Sequence, residues 1–103
     1  MHKLIALYHP PLDPKQFRDH LLNVHLPIVE RFPGLLAMRV GFDVSGPDGQ
    51  SPYFAVVECD FENDITLKAA LSSPASEEAA ADVPNYALAG VTIITFPVQE
   101  IMK

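Results

Sequence analysis

Residues 3–9 read Lys3-Leu4-Ile5-Ala6-Leu7-Tyr8-His9, and residues 53–60 read Tyr53-Phe54-Ala55-Val56-Val57-Glu58-Cys59-Asp60. Both runs have the length and the aliphatic and aromatic content of strands. A strand with one face in water alternates apolar with polar residues, and these do not. Leu4 to Leu7 are apolar without a break, as are Ala55 to Val57, and Val91 to Phe96 is relieved only by threonine. Such strands expect cover on both faces of their sheet. A chain of 103 residues has room for one domain, residues 1–103, and lacks the elements for two covering layers. A second copy packing sheet against sheet would supply the missing one.

Working outward, Pro10-Pro11 ends the first strand, and Asp13-Pro14 opens a helix with Asp13 as its cap and Pro14 in its first turn. Phe17, Leu21, Val24 and Ile28 recur at three- and four-residue spacing as one apolar stripe. Leu22, Leu26 and Val29 form a second patch roughly opposite, which is expected to support the contact between copies. Pro27 removes a backbone donor and is expected to kink or interrupt the helix near Leu26. Pro33-Gly34 ends it. A second strand is expected from Leu35 to Val44, a turn-rich loop over residues 45–50, and a third strand from Tyr53 to Asp60. A helix capped by Asn63 reaches Leu71, another starts at Ser73-Pro74, and a last strand runs from Val91 to about Val98. The order βαββαβ is that of an α+β, ferredoxin-like sandwich, an antiparallel sheet with its helices on one face.

Composition excludes several classes of partner. The formal net charge is −6, which argues against nucleic acid and against anionic membrane surfaces, both of which call for a basic face. No apolar run approaches the roughly 20 residues that span a bilayer. Nothing in the opening residues has the form of a signal peptide. The single cysteine, Cys59, excludes an internal disulfide and fits a reducing cytoplasm. Within an apolar strand it is expected to act as a small buried hydrophobe.

The chemistry-bearing residues are few. His20 and His25 are five apart, about 140° around an α-helix at 100° per residue. That spacing is poor for sharing a metal ion, which from one helix takes i, i+4 pairs. No metal site and no cofactor are expected, since a phosphate loop and a nucleophile elbow are also missing. The two histidines border the core stripe on opposite sides, from where either could reach a cavity at the end of the sheet and transfer protons. The plainer alternative is a half-buried histidine hydrogen-bonded to backbone, or one that stabilises the kink at Pro27. Folding the hairpin about Asp48 sets Arg39 across from Glu58, on the face opposite Ala55, Val57 and Cys59. That pair is either a structural ion pair or an anchor for a ligand. Tyr8, Tyr53 and Tyr86 combine a ring with a hydroxyl and suit a pocket for oxygenated organic molecules, or a core.

The ordered set Phe17-x-x-His20-x-x-x-x-His25-x-Pro27, Pro33-Gly34-Leu35, Ser51-Pro52-Tyr53, Glu58 and Phe61 resembles the EthD family. Leu71-x-Ser73-Pro74, Asp82, Asn85-Tyr86-Ala87 and Gly90-Val91 continue the match over nearly the whole chain. The resemblance implies a dimeric α/β barrel, two ferredoxin-like sheets facing each other around a central cavity. EthD proteins are named for an association with bacterial breakdown of ethyl tert-butyl ether. Fungal relatives are cofactor-free decarboxylases or similar lyases on aromatic polyketides, and wider neighbours include lactone isomerases and quinone-forming monooxygenases. Carried over by position, the resemblance implies His20, His25, Tyr53, Glu58, Asp82 and Tyr86 as candidate pocket residues. Two departures stand out. Leu21 replaces an aromatic residue common after the first histidine, and Ala75-Ser76 follows the Ser-Pro pair where a glycine is common.

Two functions are consistent with these residues. One is a cofactor-independent lyase or isomerase of catabolism, with His20 and His25 as acid–base groups and Tyr53, Glu58, Arg39 and Tyr86 holding a small apolar or aromatic metabolite. The other is a non-catalytic metabolite binder or accessory protein of a degradation pathway. Both are expected to operate as a cytoplasmic homodimer.

Overall fold

A computed structural model describes residues 1–102. The element order is β1 (His2–Tyr8), α1 (Pro14–His20), a π-helical turn (Leu21–His25), α2 (Leu26–Val29), β2 (Ala37–Phe42), β3 (Ala55–Phe61), α3 (Asp64–Leu71), α4 (Pro74–Asp82), a 3-10 turn (Val83–Asn85) and β4 (Val91–Pro97). The strands form one antiparallel sheet in the order β2-β3-β1-β4. The architecture is α+β and ferredoxin-like, as its βαββαβ order foretold.

Three of the helices, α1, α3 and α4, start where a side chain can take over an orphan backbone donor. Asp13 Oδ1 accepts from Gln16 N at 3.1 Å, and Asn63 Oδ1 accepts from Thr66 N at 2.9 Å. Ser73 Oγ accepts from Ser76 N at 3.3 Å, with Pro74 next to it in the first turn. Gly34 has φ +77°, and a Cβ there would run into the methyl group of Thr66. Only glycine permits this tight exit from the first helical region.

The register of the sheet separates its two faces. Leu4 lies opposite Cys59, Ala6 opposite Val57 and Tyr8 opposite Ala55. These six residues are buried beneath the helices. On the other face, Lys3 pairs with Asp60, Ile5 with Glu58 and Leu7 with Val56. Arg39 lies directly across from Glu58, in the register expected of the hairpin. Lys3, Arg39, Glu58 and Asp60 make one charge cluster there, with Arg39 Nη1 donating to Asp60 Oδ2 at 3.0 Å. No helix of the described residues covers this face. Ile94 and Phe96 of β4 stand on it with 44% and 40% of their surface exposed.

The helical region departs from the expected α-helix, and Pro27 supplies the reason. Its nitrogen cannot donate, and its ring would press on the carbonyl four residues back. The chain widens by one residue just before it, and Leu26 N–H donates to Leu21 O across a π turn. The extra residue rotates everything downstream. Val24, expected in the core stripe, is 45% exposed, whereas Leu26 and Val29 are buried in the core. The second patch expected from Leu22, Leu26 and Val29 is therefore not a surface. Only Leu22 faces outward, so this helix lends no support to a contact between copies.

Candidate active site

The same π turn assembles the most unusual constellation in the molecule. In a π turn, residues five apart are joined through the backbone and lie on one side, as residues four apart do in an α-helix. His20 and His25 thus converge instead of sitting 140° apart. Asp82, the last residue of α4, lies between them. His20 Nε2 is 2.9 and 3.0 Å from the two oxygens of Asp82, and His25 Nδ1 is 2.9 Å from Oδ2. Asn85 Nδ2 donates to Oδ1 at 3.0 Å.

An ionised carboxylate only accepts, so each ring nitrogen facing Asp82 must carry a proton. In its neutral form His25 is then the Nδ1–H tautomer, with a lone pair on Nε2. Among the described residues nothing hydrogen-bonds to that Nε2. Burial opposes charging His25, and the nearby His20 adds to this. Asp82 only partly offsets them, so the pKa of His25 lies below the usual 6.5. At neutral pH His25 is an uncharged base held in one tautomer. Burial by itself would raise the carboxyl of Asp82, but hydrogen bonds from Asn85, His20 and His25 outweigh it and hold the pKa below 3.8.

Tyr86 completes the cluster. Its ring stacks on His20 at 5.0 Å between centroids and tilts against His25 at 4.8 Å. Its hydroxyl lies 2.7 Å from that of Tyr8. Burial raises the pKa of both phenols, so both remain protonated donors. Phe17 wedges against Tyr8 and Tyr86, with centroid distances of 5.2 and 5.4 Å.

A cavity of about 120 Å³ adjoins this cluster, between the buried face of the sheet and the helices. Leu4, Ala6 and Val57 floor it, Leu26, Val29 and Ala79 roof it, and Tyr8, His25, Cys59 and Ser76 bring the heteroatoms. Burial pushes the Cys59 thiol up to about 11, so it stays protonated and is no nucleophile.

The residues expected at a site therefore divide. His20, His25 and Tyr86 come together. Arg39 and Glu58 do not join them, because they point from the opposite face of the sheet. Tyr53 stands apart as well, its ring packed beside His9 at 5.4 Å. This cavity lies within one chain, on the helix side of the sheet. Asp82 was carried over by resemblance alone, and spacing gave no link to the histidines, since 57 residues separate it from His25. Its offsets of three and four to Asn85 and Tyr86, just after a helix, were the one available local signal.

Acid should loosen the molecule in two stages. His25 and Asp82 both have lowered pKa values in the fold, and so has Asp60, where the hydrogen bond from Arg39 and the charge of Lys3 overcome burial. The unfolded chain binds more protons than the folded one wherever a folded pKa is depressed. Stability is thus complete above pH 6.5. It declines first as His25 is forced to charge, then again below about pH 4 as the two carboxylates protonate. Urea midpoints measured from pH 8 to pH 3 should show both steps, and His25→Gln should remove the upper one alone.

The EthD domain pattern matches residues 9–89. An uncharacterized 11.0 kDa protein of the thcB-thcC intergenic region of Rhodococcus erythropolis is 33% identical over 95 residues, covering 91% of each chain. An EthD (ethyl tert-butyl ether) family protein from Bacillus halodurans superposes with a TM-score of 0.88 at 29% identity, over 96% of this chain and 99% of its own. Two more distant structures share the fold alone. A dimeric ferredoxin-like protein of Jannaschia sp. has a TM-score of 0.73 at 16% identity, over 94% and 98% of the two chains. The hydroxynitrile lyase of Passiflora edulis has 0.75 at 10%, over 99% and 95%. No helix among the described residues is long and apolar enough to cross a membrane. A pattern spanning most of the chain, with relatives that cover it from end to end, places this protein in the EthD domain family.

Proposed function

We propose that this protein is a cofactor-independent acid–base enzyme, a lyase or isomerase of a small apolar metabolite, with His25 as its base. One observation carries the reading. His25 is locked by Asp82 through Nδ1 and lines an apolar cavity, with its other nitrogen unbonded among the described residues. That is how a general base is held, in a fixed tautomer beside a counter-charge that stabilises the imidazolium once formed. Tyr8 lines the same cavity and can donate to an oxygen on which negative charge develops. His20 and Tyr86 orient Asp82 and Tyr8 rather than touching the metabolite.

The working unit is a homodimer. Ile5, Leu7, Ile94 and Phe96 make the open sheet face apolar around the charge cluster, and a second copy laid against it would form the dimeric α/β barrel of the family. A role in catabolism, of the kind implied by the association of EthD proteins with ethyl tert-butyl ether, fits a cavity of this polarity. A cytoplasmic setting fits the lone buried thiol.

The test is proton transfer itself. Incubated in D2O with small ketones, aldehydes and lactones, the protein should catalyse deuterium uptake next to the carbonyl of at least one of them, followed by proton NMR. Ligands that bind with no exchange and no cleavage would assign the chain to the other class, a metabolite binder without catalysis.

A further inference from the structure

We propose that the cavity admits only uncharged substrates of about one ring in size that carry a single hydrogen-bond-accepting oxygen, and that it rejects carboxylates. The proposal rests on the acid–base reading for the role of His25, but the selection by size and charge follows from the cavity alone. Its volume of about 120 Å³ is slightly under the roughly 150 Å³ at which an apolar protein cavity accepts benzene. A single six-membered ring or a branched chain of similar bulk is the most that this half-open cavity can bury, and a fused bicyclic compound would leave its second ring outside.

Charge selection follows from the lining. Among the described residues no lysine or arginine lines the cavity, so a carboxylate would lose its hydration with no cation in return. The carboxylate of Asp82 stands just behind His25, and its negative charge repels an anion. A neutral oxygen fares differently. With the Tyr86 hydroxyl donating to Tyr8, the proton of Tyr8 is free for a ligand, and the chained hydrogen bonds strengthen one another. The C–H bond beside the carbonyl breaks, its proton forms an N–H bond at His25 Nε2, and the electron pair moves onto the carbonyl oxygen as an enolate held by Tyr8.

Cyclohexanone, cyclohexanecarboxylate and the bicyclic α-tetralone are suitable probes, titrated by calorimetry and chemical-shift change at pH 7 with exchange in D2O followed in parallel. Cyclohexanone should bind at least tenfold more tightly than either of the others. Ala80→Leu, at an exposed position on the cavity wall where the fold tolerates bulk, should weaken it at least fivefold. Ala79→Leu, within the wall, should abolish it. Carboxylate or bicyclic binding equal to that of the ketone, or no ketone binding at all, would overturn the selectivity. Tight ketone binding without hydrogen exchange would sustain it and overturn the catalytic reading instead.

Discussion

Replacing His25 by glutamine is expected to lower carbonyl-directed exchange by about 10²–10⁴-fold, the usual contribution of a positioned general base, while ligand affinity changes only a few-fold. Glutamine keeps an amide N–H for Asp82 but has no basic nitrogen to offer the cavity, so binding and chemistry come apart. Asp82→Asn makes the complementary case. An asparagine turns one accepting oxygen into a donor that faces N–H groups from His20, His25 or Asn85. Either His25 flips its tautomer, placing the proton on Nε2, or the ring turns away. The exchange rate should fall by a similar factor, and the pH dependence that His25 gives the reaction should change shape, which simple loosening of the fold would not do. Rates from deuterium uptake between pH 5 and pH 9, beside thermal melts of each variant, separate these effects. An unchanged rate in His25→Gln would remove His25 from the chemistry and turn attention to Tyr8 and Ser76 of the same cavity.

Phe17→Ala should be among the most damaging single changes to stability. Phe17 is 1% exposed and meets the rings of Tyr8, Phe54 and Tyr86, with centroids 5.2 to 5.7 Å away. Emptying such a position costs about 3–5 kcal/mol through lost transfer energy and an unfilled cavity, against a total of about 5–15 kcal/mol for a domain of this size. The melting temperature should fall by roughly 15–30 °C, read by circular dichroism. Arg18→Ala next door serves as the control. It breaks an exposed bridge to Asp43 and a cation–π contact with Phe42 and Phe54, and should cost no more than about 1–2 kcal/mol. Because Phe17 also buttresses the Tyr8–Tyr86 pair, ligand binding should fall with stability. Equal losses in the two variants would mean that the aromatic cluster is not the centre of this core.

Strand positions, turn residues, all three helix caps and the pairing of Arg39 with Glu58 were legible because they depend on neighbours in sequence or on the count across one hairpin. The helix boundary residues Asp13, Asn63 and Ser73 each bond within three positions of themselves. Strands with apolar residues on both faces announced a sheet that wants cover on each side, a property of the pattern and not of any contact. The candidate site was legible only in part. His20, His25 and Tyr86 stood out by type and by resemblance to a family. Asp82 entered by resemblance alone, with no sign that its carboxylate joins both histidines, and the pleat of β3 sets Arg39 and Glu58 on the opposite face of the sheet.

What the amino-acid order determined by itself was the ladder of elements, the alternation that sorts side chains to one face or the other, and the place where Pro27 must disturb the helix. What only the tertiary structure decided was the form of that disturbance. A π turn rather than a kink keeps Leu26 and Val29 in the core, and it swings His25 onto the side of His20 and toward α4. Local propensity has no preference between a kink and a widened turn, since both spare the missing donor of Pro27. Burial of the downstream apolar residues favours the turn, and the carboxylate of Asp82, arriving from α4, satisfies the buried N–H of His25 and the half-buried one of His20.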